Sequence, residues 1–202
     1  MGRLDIDTRS SLSMHLTEYG PLPEVPRRRG SVPGDRVEQV EISGLRGRGG
    51  GWFPTVRKLR AVVESSAERG RLGRTRHPLV IANGMEGEPA SSKDAVLLGA
   101  SAHLVFDGIS AAAATIGATD AFLAIHRDSA VIPILVKALD ERHAAGIDPL
   151  TIHLVTPPAR YVASEESALS HRPGEGVETP VYPDRPFQKG AAGRPTLVQN
   201  VE

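Results

Sequence analysis

Pro78-Leu-Val-Ile-Ala-Asn-Gly84 joins a short apolar run to an Asn-Gly pair. A run of this length that ends at a turn signal is typical of a buried strand. Similar runs follow at 121–125 and 151–155, and stretches with apolar residues at helical spacing lie between them, at 94–117 and 131–145. The alternation predicts an α/β fold in which helices flank a parallel sheet.

A glycine-rich stretch precedes this pattern: Gly44-Leu-Arg-Gly-Arg-Gly-Gly-Gly-Trp-Phe-Pro-Thr-Val-Arg-Lys58. It leads into a predicted helix over 54–68. Backbone N–H groups in such a loop and at a helix N-terminus favour an anion, and Arg46, Arg48 and Lys58 add positive charge. We therefore expect a phosphate-bearing cofactor over the loop. The spacing matches neither Gly-x-Gly-x-x-Gly nor the P-loop, and a nucleic-acid-binding Gly-Arg segment is the alternative interpretation.

In a parallel sheet, ligands bind at the carboxyl ends of the strands. Polar segments follow the predicted strands at 83–94, 126–128 and 156–166. Asn83, Glu86 and Glu88 offer acceptors for ring N–H groups or ribose hydroxyls. The alternative is an acidic turn that caps the next helix, and the same two interpretations are open for Glu165 and Glu166.

The composition limits the function classes. Lys+Arg and Asp+Glu both number 24 and aromatic residues make up 4%, so we expect neither nucleic acid nor an anionic membrane as partner. With no cysteine, the chain cannot hold a cysteine-bound iron–sulfur cluster. The histidines show no metal-ligand spacing, and we assign neither a metal site nor a catalytic residue. No apolar run approaches the ~20 residues of a membrane span, which predicts a soluble, cytoplasmic protein without membrane insertion.

The ends of the chain differ from its middle. Four prolines between 21 and 33 predict that residues 1–43 form a Pro-rich N-terminal extension, extended or partly disordered, outside an α/β domain of residues 44–202. A short helix is predicted at 165–171 and a loop at 173–194. Residues 195–202 show no terminal element, and we expect a fragment or a chain that has lost downstream domains.

Four motifs, in order, resemble those of the flavin-bearing, NADH-oxidising subunit of respiratory complex I and its hydrogenase and formate-dehydrogenase relatives. They are Gly47-Arg-Gly-Gly-Gly-Trp-Phe-Pro-Thr-Val-Arg-Lys58, Asn83-Gly-Met-Glu-Gly-Glu-Pro-Ala-Ser-Ser-Lys-Asp94, Arg160-Tyr-Val-Ala-Ser-Glu-Glu-Ser-Ala-Leu169 and Pro195-Thr-Leu-Val-Gln-Asn-Val-Glu202. The resemblance implies a Rossmann-like FMN-binding domain. It also implies a protein partner that carries the iron–sulfur clusters, and a place at the periphery of a membrane complex.

The resemblance further implies which residues form the site. Those that would hold FMN are Gly47, Arg48, Gly49, Gly50, Lys58, Asn83, Glu86, Tyr161, Glu165 and Asn200. Those that would contact NAD(H), the substrate, are Phe53, Glu88, Glu166 and Phe187.

Several positions depart from the family pattern. Trp52 and Ser164 stand where the family has glycine, Met85 where it has aspartate, and Gln199 where it has asparagine. Two hypotheses follow. The chain is the electron-input domain of an NADH dehydrogenase, which accepts hydride from NADH and passes electrons to a partner. Alternatively, it is a diverged, non-catalytic nucleotide-binding or interaction module of the same fold, which Trp52 and Met85 favour.

Overall fold

The computed structural model describes residues 11–22, 36–48, 51–73, 77–87, 90–156 and 186–202. The strands are β1 (Leu79–Asn83), β2 (Asp120–Ala124), β3 (Thr151–Val155) and β4 (Thr196–Asn200). The helices are α1 (Leu12–Tyr19), α2 (Val37–Ser43), α3 (Thr55–Arg71), α4 (Lys93–Ala100), α5 (Ala102–Ile116), α6 (Ile132–Ala145) and α7 (Pro186–Lys189). The strands form one parallel sheet in the order β3-β2-β1-β4.

The predicted α/β fold with a parallel sheet is confirmed, and so are its central elements. The three predicted strands are β1, β2 and β3, and the helix predicted at 54–68 is α3. Gly117 and Gly146 end α5 and α6 in the left-handed conformation, at φ of 74° and 62°. Glycine adopts this conformation without the steric cost that a Cβ brings, which explains both stops.

The single helix predicted over 94–117 is wrong. Two helices, α4 and α5, meet at Ser101, whose φ of −142° and ψ of 42° are not helical, and their axes are bent by 97°. The bend lets Leu98 of α4 and Phe106 of α5 both pack into the main hydrophobic core. No single helix in the described part of the chain is long and apolar enough to cross a membrane, whereas the bent α4–α5 pair meets that criterion by length and composition.

The extended conformation predicted for the N-terminal segment is also wrong where the structure describes it, because α1 and α2 are helices. Glu141 of α6 accepts a hydrogen bond from the Leu12 N–H at 2.8 Å, and His15 Nε2 lies 2.7 Å from Asp107 Oδ2 of α5. Val37 of α2 is buried in the main core. The division at residues 43 and 44 stays a prediction.

The end of the chain contains structure that the sequence patterns did not predict. Residues 186–189 form α7 within the predicted loop, and residues 196–200 form β4. Strand β4 pairs with β1 along its full length, with Leu79 opposite Thr196 and Asn83 opposite Asn200. The helix predicted at 165–171 lies outside the described residues.

A buried ion network joins α5 and α6 at Arg142, which is 1% exposed. Its guanidinium donates to both carboxylate oxygens of Asp148, at 2.8 and 2.7 Å, to Asp107 Oδ1 at 2.8 Å and to the His103 carbonyl at 3.2 Å. Burial alone would lower the pKa of Arg142, but hydrogen bonds to Asp148 and Asp107 raise it. Arg142 therefore stays charged.

Candidate ligand site at the carboxyl ends of the strands

Two asparagines lie side by side where β1 and β4 end. Asn83 and Asn200 are register partners on strands about 4.8 Å apart. The side-chain oxygen of Asn83 accepts from the Met85 N–H at 3.0 Å, and its carbonyl accepts from the Val201 N–H at 3.2 Å. These bonds fix the chain as it leaves the sheet and hold the two amides at one edge.

The glycine-rich loop is closed at its base over this edge. Gly47 N–H donates to the Phe53 carbonyl at 2.9 Å, and Thr55 N–H donates to the Leu45 carbonyl at 3.0 Å. A Cβ on Gly47 would lie 3.5 Å from Nε2 of Gln199 on β4. The predicted loop residue Gly47 and the neighbour of Asn200 are thus brought together, although they lie far apart in the sequence.

Helix α3 begins directly after the loop and carries an unused polar group at its start. Its N-cap, Pro54, makes no side-chain capping bond. Thr55 is 5% exposed, and its Oγ1 has no hydrogen-bond partner among the residues that the structure describes. Three residues on, Lys58 Nζ donates to the Val198 carbonyl at 3.0 Å, which brings its charge to the middle of β4. A buried hydroxyl, a helix dipole and an ammonium group together suit a phosphate.

Arg48, Trp52 and Phe53 lie on the outer part of the loop. Trp52 is 55% exposed and has a φ of 50°, which is unusual for a residue with a side chain. The Arg48 guanidinium carbon is 4.9 Å from the centroid of the Trp52 ring. Phe53 is also exposed. The bulky Trp52 side chain therefore projects into solvent and does not fill the space between the loop and the sheet.

Glu86, also predicted at the site, accepts a hydrogen bond from the Asp94 N–H at 3.1 Å and so caps α4. Lys93 Nζ lies 2.6 Å from Asp94, 3.4 Å from Glu202 and 3.9 Å from Glu86. Burial raises the pKa of Asp94, against the effect of its hydrogen bond to Lys93. Burial lowers the pKa of Lys93, but Asp94, Glu202 and Glu86 together raise it. Lys93 therefore offsets part of the negative charge that three carboxyl groups bring to this edge.

Met85, which occupies the aspartate position of the family motif, is 2% exposed and packs among apolar residues on the second face of the sheet. The preceding Gly84 makes this turn possible, because a Cβ there would lie 2.9 Å from Leu98 Cδ1. The Met85 side chain is thus part of the core rather than a weakened ligand contact.

Phe187 is not brought together with the other predicted residues. It lies on α7, which Arg69 anchors to the carboxyl end of α3 by donating to the Gln188 and Gly193 carbonyls at 2.8 and 3.0 Å. Arg69 is fourteen residues beyond Thr55, or roughly 21 Å along the helix. Phe187 packs against the main core instead. The predicted site residues outside the described part of the chain are Gly49, Gly50, Glu88, Tyr161, Glu165 and Glu166.

Thr55, Lys93, His126 and Gln199 were not among the predicted site residues. His126 follows β2, and its Nε2 lies 2.9 Å from the Glu86 carbonyl. Its position directly after a predicted strand was the available signal. Thr55 had a comparable signal as the residue after the proline that starts α3. Lys93 and Gln199 lie within the second and fourth motifs, but their residue types alone do not indicate a site role, because their neighbours at the site come from distant segments of the chain.

Residues 40–202 match the family described as the Nuo51 FMN-binding domain. The chain belongs to this family. It is 32% identical over 182 residues to an NADH-quinone oxidoreductase subunit of Aquifex aeolicus, covering 84% of this chain and 40% of that protein. It is also 32% identical over 185 residues to NAD-reducing hydrogenase HoxS subunit alpha of Cupriavidus necator, covering 84% of this chain and 29% of that one.

A solved structure of similar fold is the NAD+-reducing [NiFe]-hydrogenase in its air-oxidised state. It matches with a TM-score of 0.69 and 34% identity, over 82% of this chain and 28% of that chain. The resemblance drawn from the four motifs is therefore confirmed, as is the Rossmann-like FMN-binding fold class. The Nuo51 FMN-binding domain described here spans about two fifths of the length of its Aquifex aeolicus relative.

Proposed function

We propose that this domain binds FMN at the carboxyl ends of β1 and β4 and is the electron-input domain of an NADH dehydrogenase. The observation that carries the proposal is the convergence of a closed glycine loop, the uncapped start of α3 and two strand-terminal asparagines in a member of an FMN-binding family. NAD(H) is the expected substrate because relatives are named for reactions of NADH or NAD.

The residues present fit this cofactor. Thr55 Oγ1 and Lys58 would hold the phosphate, next to the N-terminus of α3 and the backbone of Gly47. Two of the first N–H groups of α3 already donate within the loop, from Thr55 to Leu45 and from Arg57 to Pro54. The Thr55 hydroxyl is therefore the distinctive donor. Asn83 and Asn200 present amide groups to the polar edge of a ring.

FMN, when bound, supplies acceptance of a hydride and release of single electrons. The protein's own groups supply binding and electrostatics. Lys93 lowers the net negative charge of Glu86, Asp94 and Glu202 next to the site, which reduces repulsion of a phosphorylated ligand. The exposed Phe53 offers a flat apolar surface to the substrate at the outer side of the loop.

Electrons leaving this site need an acceptor outside these 202 residues. The relatives are named as subunits, which supports a protein partner, and we infer that this partner carries iron–sulfur clusters. The same relatives favour a place at the periphery of a larger complex. The absence of cysteine from the 202 residues is consistent with clusters held elsewhere.

Thr55→Val tests the cofactor site with two measurements of opposite sign. We expect FMN affinity to fall about tenfold or more, because a hydrogen bond to a charged phosphate is lost. We expect the free protein to become more stable by about 1 kcal/mol, because a buried hydroxyl without a partner is replaced by a methyl group. FMN titration by flavin fluorescence and urea unfolding provide the readouts.

Lys58→Met should weaken FMN similarly, whereas Lys137→Met on the exposed face of α6 should not. Wild-type protein that binds no FMN would refute the proposal. Wild-type protein that binds FMN but does not oxidise NADH with an artificial electron acceptor would support the non-catalytic module instead. The observation that favours this second candidate is the conversion of the Met85 position to a core residue.

A further inference from the structure

Arg48 and Trp52 form a cation–π pair on the loop. The separation of 4.9 Å between the guanidinium carbon and the ring centroid is within the range of about 6 Å for such contacts. The guanidinium carbon lies over the face of the indole ring, and a guanidinium carries several N–H donors in a fixed fork. The contact therefore restricts the position of the Arg48 guanidinium, and the donors that do not face the ring are able to bind an oxyanion.

Trp52 has a left-handed backbone conformation, which is unfavourable for any residue that carries a Cβ. Its φ is 50°, and its carbonyl accepts a hydrogen bond from Arg46 Nη1 at 3.2 Å. The adjacent Phe53 carbonyl accepts from the Gly47 N–H. Arg46 thus holds the backbone of Trp52, while Arg48 contacts its ring. Arg46 and Arg48 therefore make different contacts with Trp52, one with its backbone and one with its side chain.

We propose that Trp52 is a positioning residue that holds the Arg48 guanidinium for binding the phosphate of a nucleotide ligand. The inference rests on the proposed function, because it assigns a role within the same site. Trp52 stands where the family pattern has glycine, so it is an addition to the loop and not an obstruction. The phosphate belongs either to FMN or to the dinucleotide substrate, and the experiment separates the two.

The test compares FMN with riboflavin, which lacks the phosphate, and adds ADP-ribose as the phosphate-bearing part of the substrate. Dissociation constants are measured by flavin fluorescence and calorimetry for wild type, Trp52→Gly, Trp52→Phe and Arg48→Lys. Arg71→Lys, at the exposed far end of α3, is the matched control. Glycine suits the positive φ, so Trp52→Gly should fold, which circular dichroism checks.

We expect Trp52→Gly and Arg48→Lys to reduce the preference for FMN over riboflavin, or the affinity for ADP-ribose, about fivefold. Riboflavin affinity should not change. Trp52→Phe should retain most of the effect because it keeps an aromatic face, and Arg71→Lys should match wild type. A reduced FMN preference assigns the phosphate to the cofactor, and reduced ADP-ribose affinity assigns it to the substrate.

If both quantities are unchanged in Trp52→Gly and Arg48→Lys while wild type binds FMN, the positioning role is refuted and the proposed function stands. If wild type binds ADP-ribose but no FMN, the proposed function fails, and the ADP-ribose measurements alone decide the positioning role. If wild type binds neither, both are refuted. Trp52 is the only tryptophan in the chain, so quenching of its emission by pyrophosphate gives an independent readout, which Arg48→Lys should weaken.

Discussion

Replacing Arg142 by methionine should be one of the most destabilising single changes in this domain. The substitution keeps an unbranched side chain of similar length but removes all the guanidinium donors of the network. Asp107 and Asp148 would then be left as partly buried carboxylates without their main partner. Breaking a buried ion pair in this way costs about 3–5 kcal/mol.

That loss is a large fraction of the roughly 5–15 kcal/mol that typically separates folded from unfolded protein. For a chain of this size, each kcal/mol lowers the melting temperature by about 2–4 °C. The expected decrease is therefore about 6–20 °C. Urea unfolding followed by circular dichroism should show a lower midpoint with an unchanged slope, since the surface exposed on unfolding stays the same.

Two further variants test the electrostatic cause. Arg60→Met breaks the exposed pair with Glu41 and should change stability little. Combining Arg142→Met with Asp107→Asn and Asp148→Asn should recover much of the lost stability, because no buried charge is left without a partner. A loss for Arg142→Met no greater than that for Arg60→Met would refute the reasoning. An unrecovered loss in the triple variant would point to packing instead.

Three other predictions concern the carboxyl edge of the sheet and the segment at its opposite end. Gly84→Ala should destabilise the protein by about 1–3 kcal/mol, because its Cβ would lie 2.9 Å from a Leu98 methyl group. Gly108→Ala, in open space on α5, should instead stabilise the protein by about 0.5–1 kcal/mol. Thermal unfolding of both variants measures the difference, and equal effects would contradict the prediction. Burial raises the pKa of Asp94 above 3.8, so the folded state holds its proton more tightly than the unfolded state. The free energy of unfolding of wild type, relative to that of Asp94→Asn, should therefore fall as the pH rises from 3.8 through the raised pKa of the folded state. Urea unfolding of both proteins across that pH range measures it, and a rise in the relative stability of wild type would contradict the prediction. Arg69→Gln should lower stability by about 1–3 kcal/mol and speed hydrogen exchange in α7, and unchanged exchange there would show that the bonds to residues 188 and 193 are not what holds it.

Local patterns predicted the elements whose stability depends on local features. The first three strands are continuous apolar runs, and glycines stop α5 and α6 where the chain turns. Strand β4 was not predicted, because Thr-Leu-Val-Gln-Asn is short and mostly polar. Its strand conformation depends on pairing with β1. The break at Ser101 is a tertiary effect, since both α4 and α5 have to reach the same core.

The candidate site likewise contains parts that the sequence predicted and parts that depend on tertiary packing. The loop, Asn83 and Asn200 were predicted from their motifs, and Gly47 does meet the end of β4. The role of Glu86 as a cap for α4 and the burial of Met85 depend on how the turn after β1 packs, which residue types alone do not specify. Phe187 lies near the wrong end of α3 for its predicted contact because Arg69 holds that segment there.

The pairing of β4 with β1 links ligand affinity to the integrity of the sheet. Asn83 and Asn200 are 117 residues apart in the sequence but are neighbours only while that pairing holds. A ligand that contacts both amides binds only the state in which the two strands are paired. At a free ligand concentration of a hundred times its dissociation constant, it would stabilise that state by about 2.7 kcal/mol. Cofactor occupancy would then set how often the last strand detaches, so an unloaded population would open first at this edge.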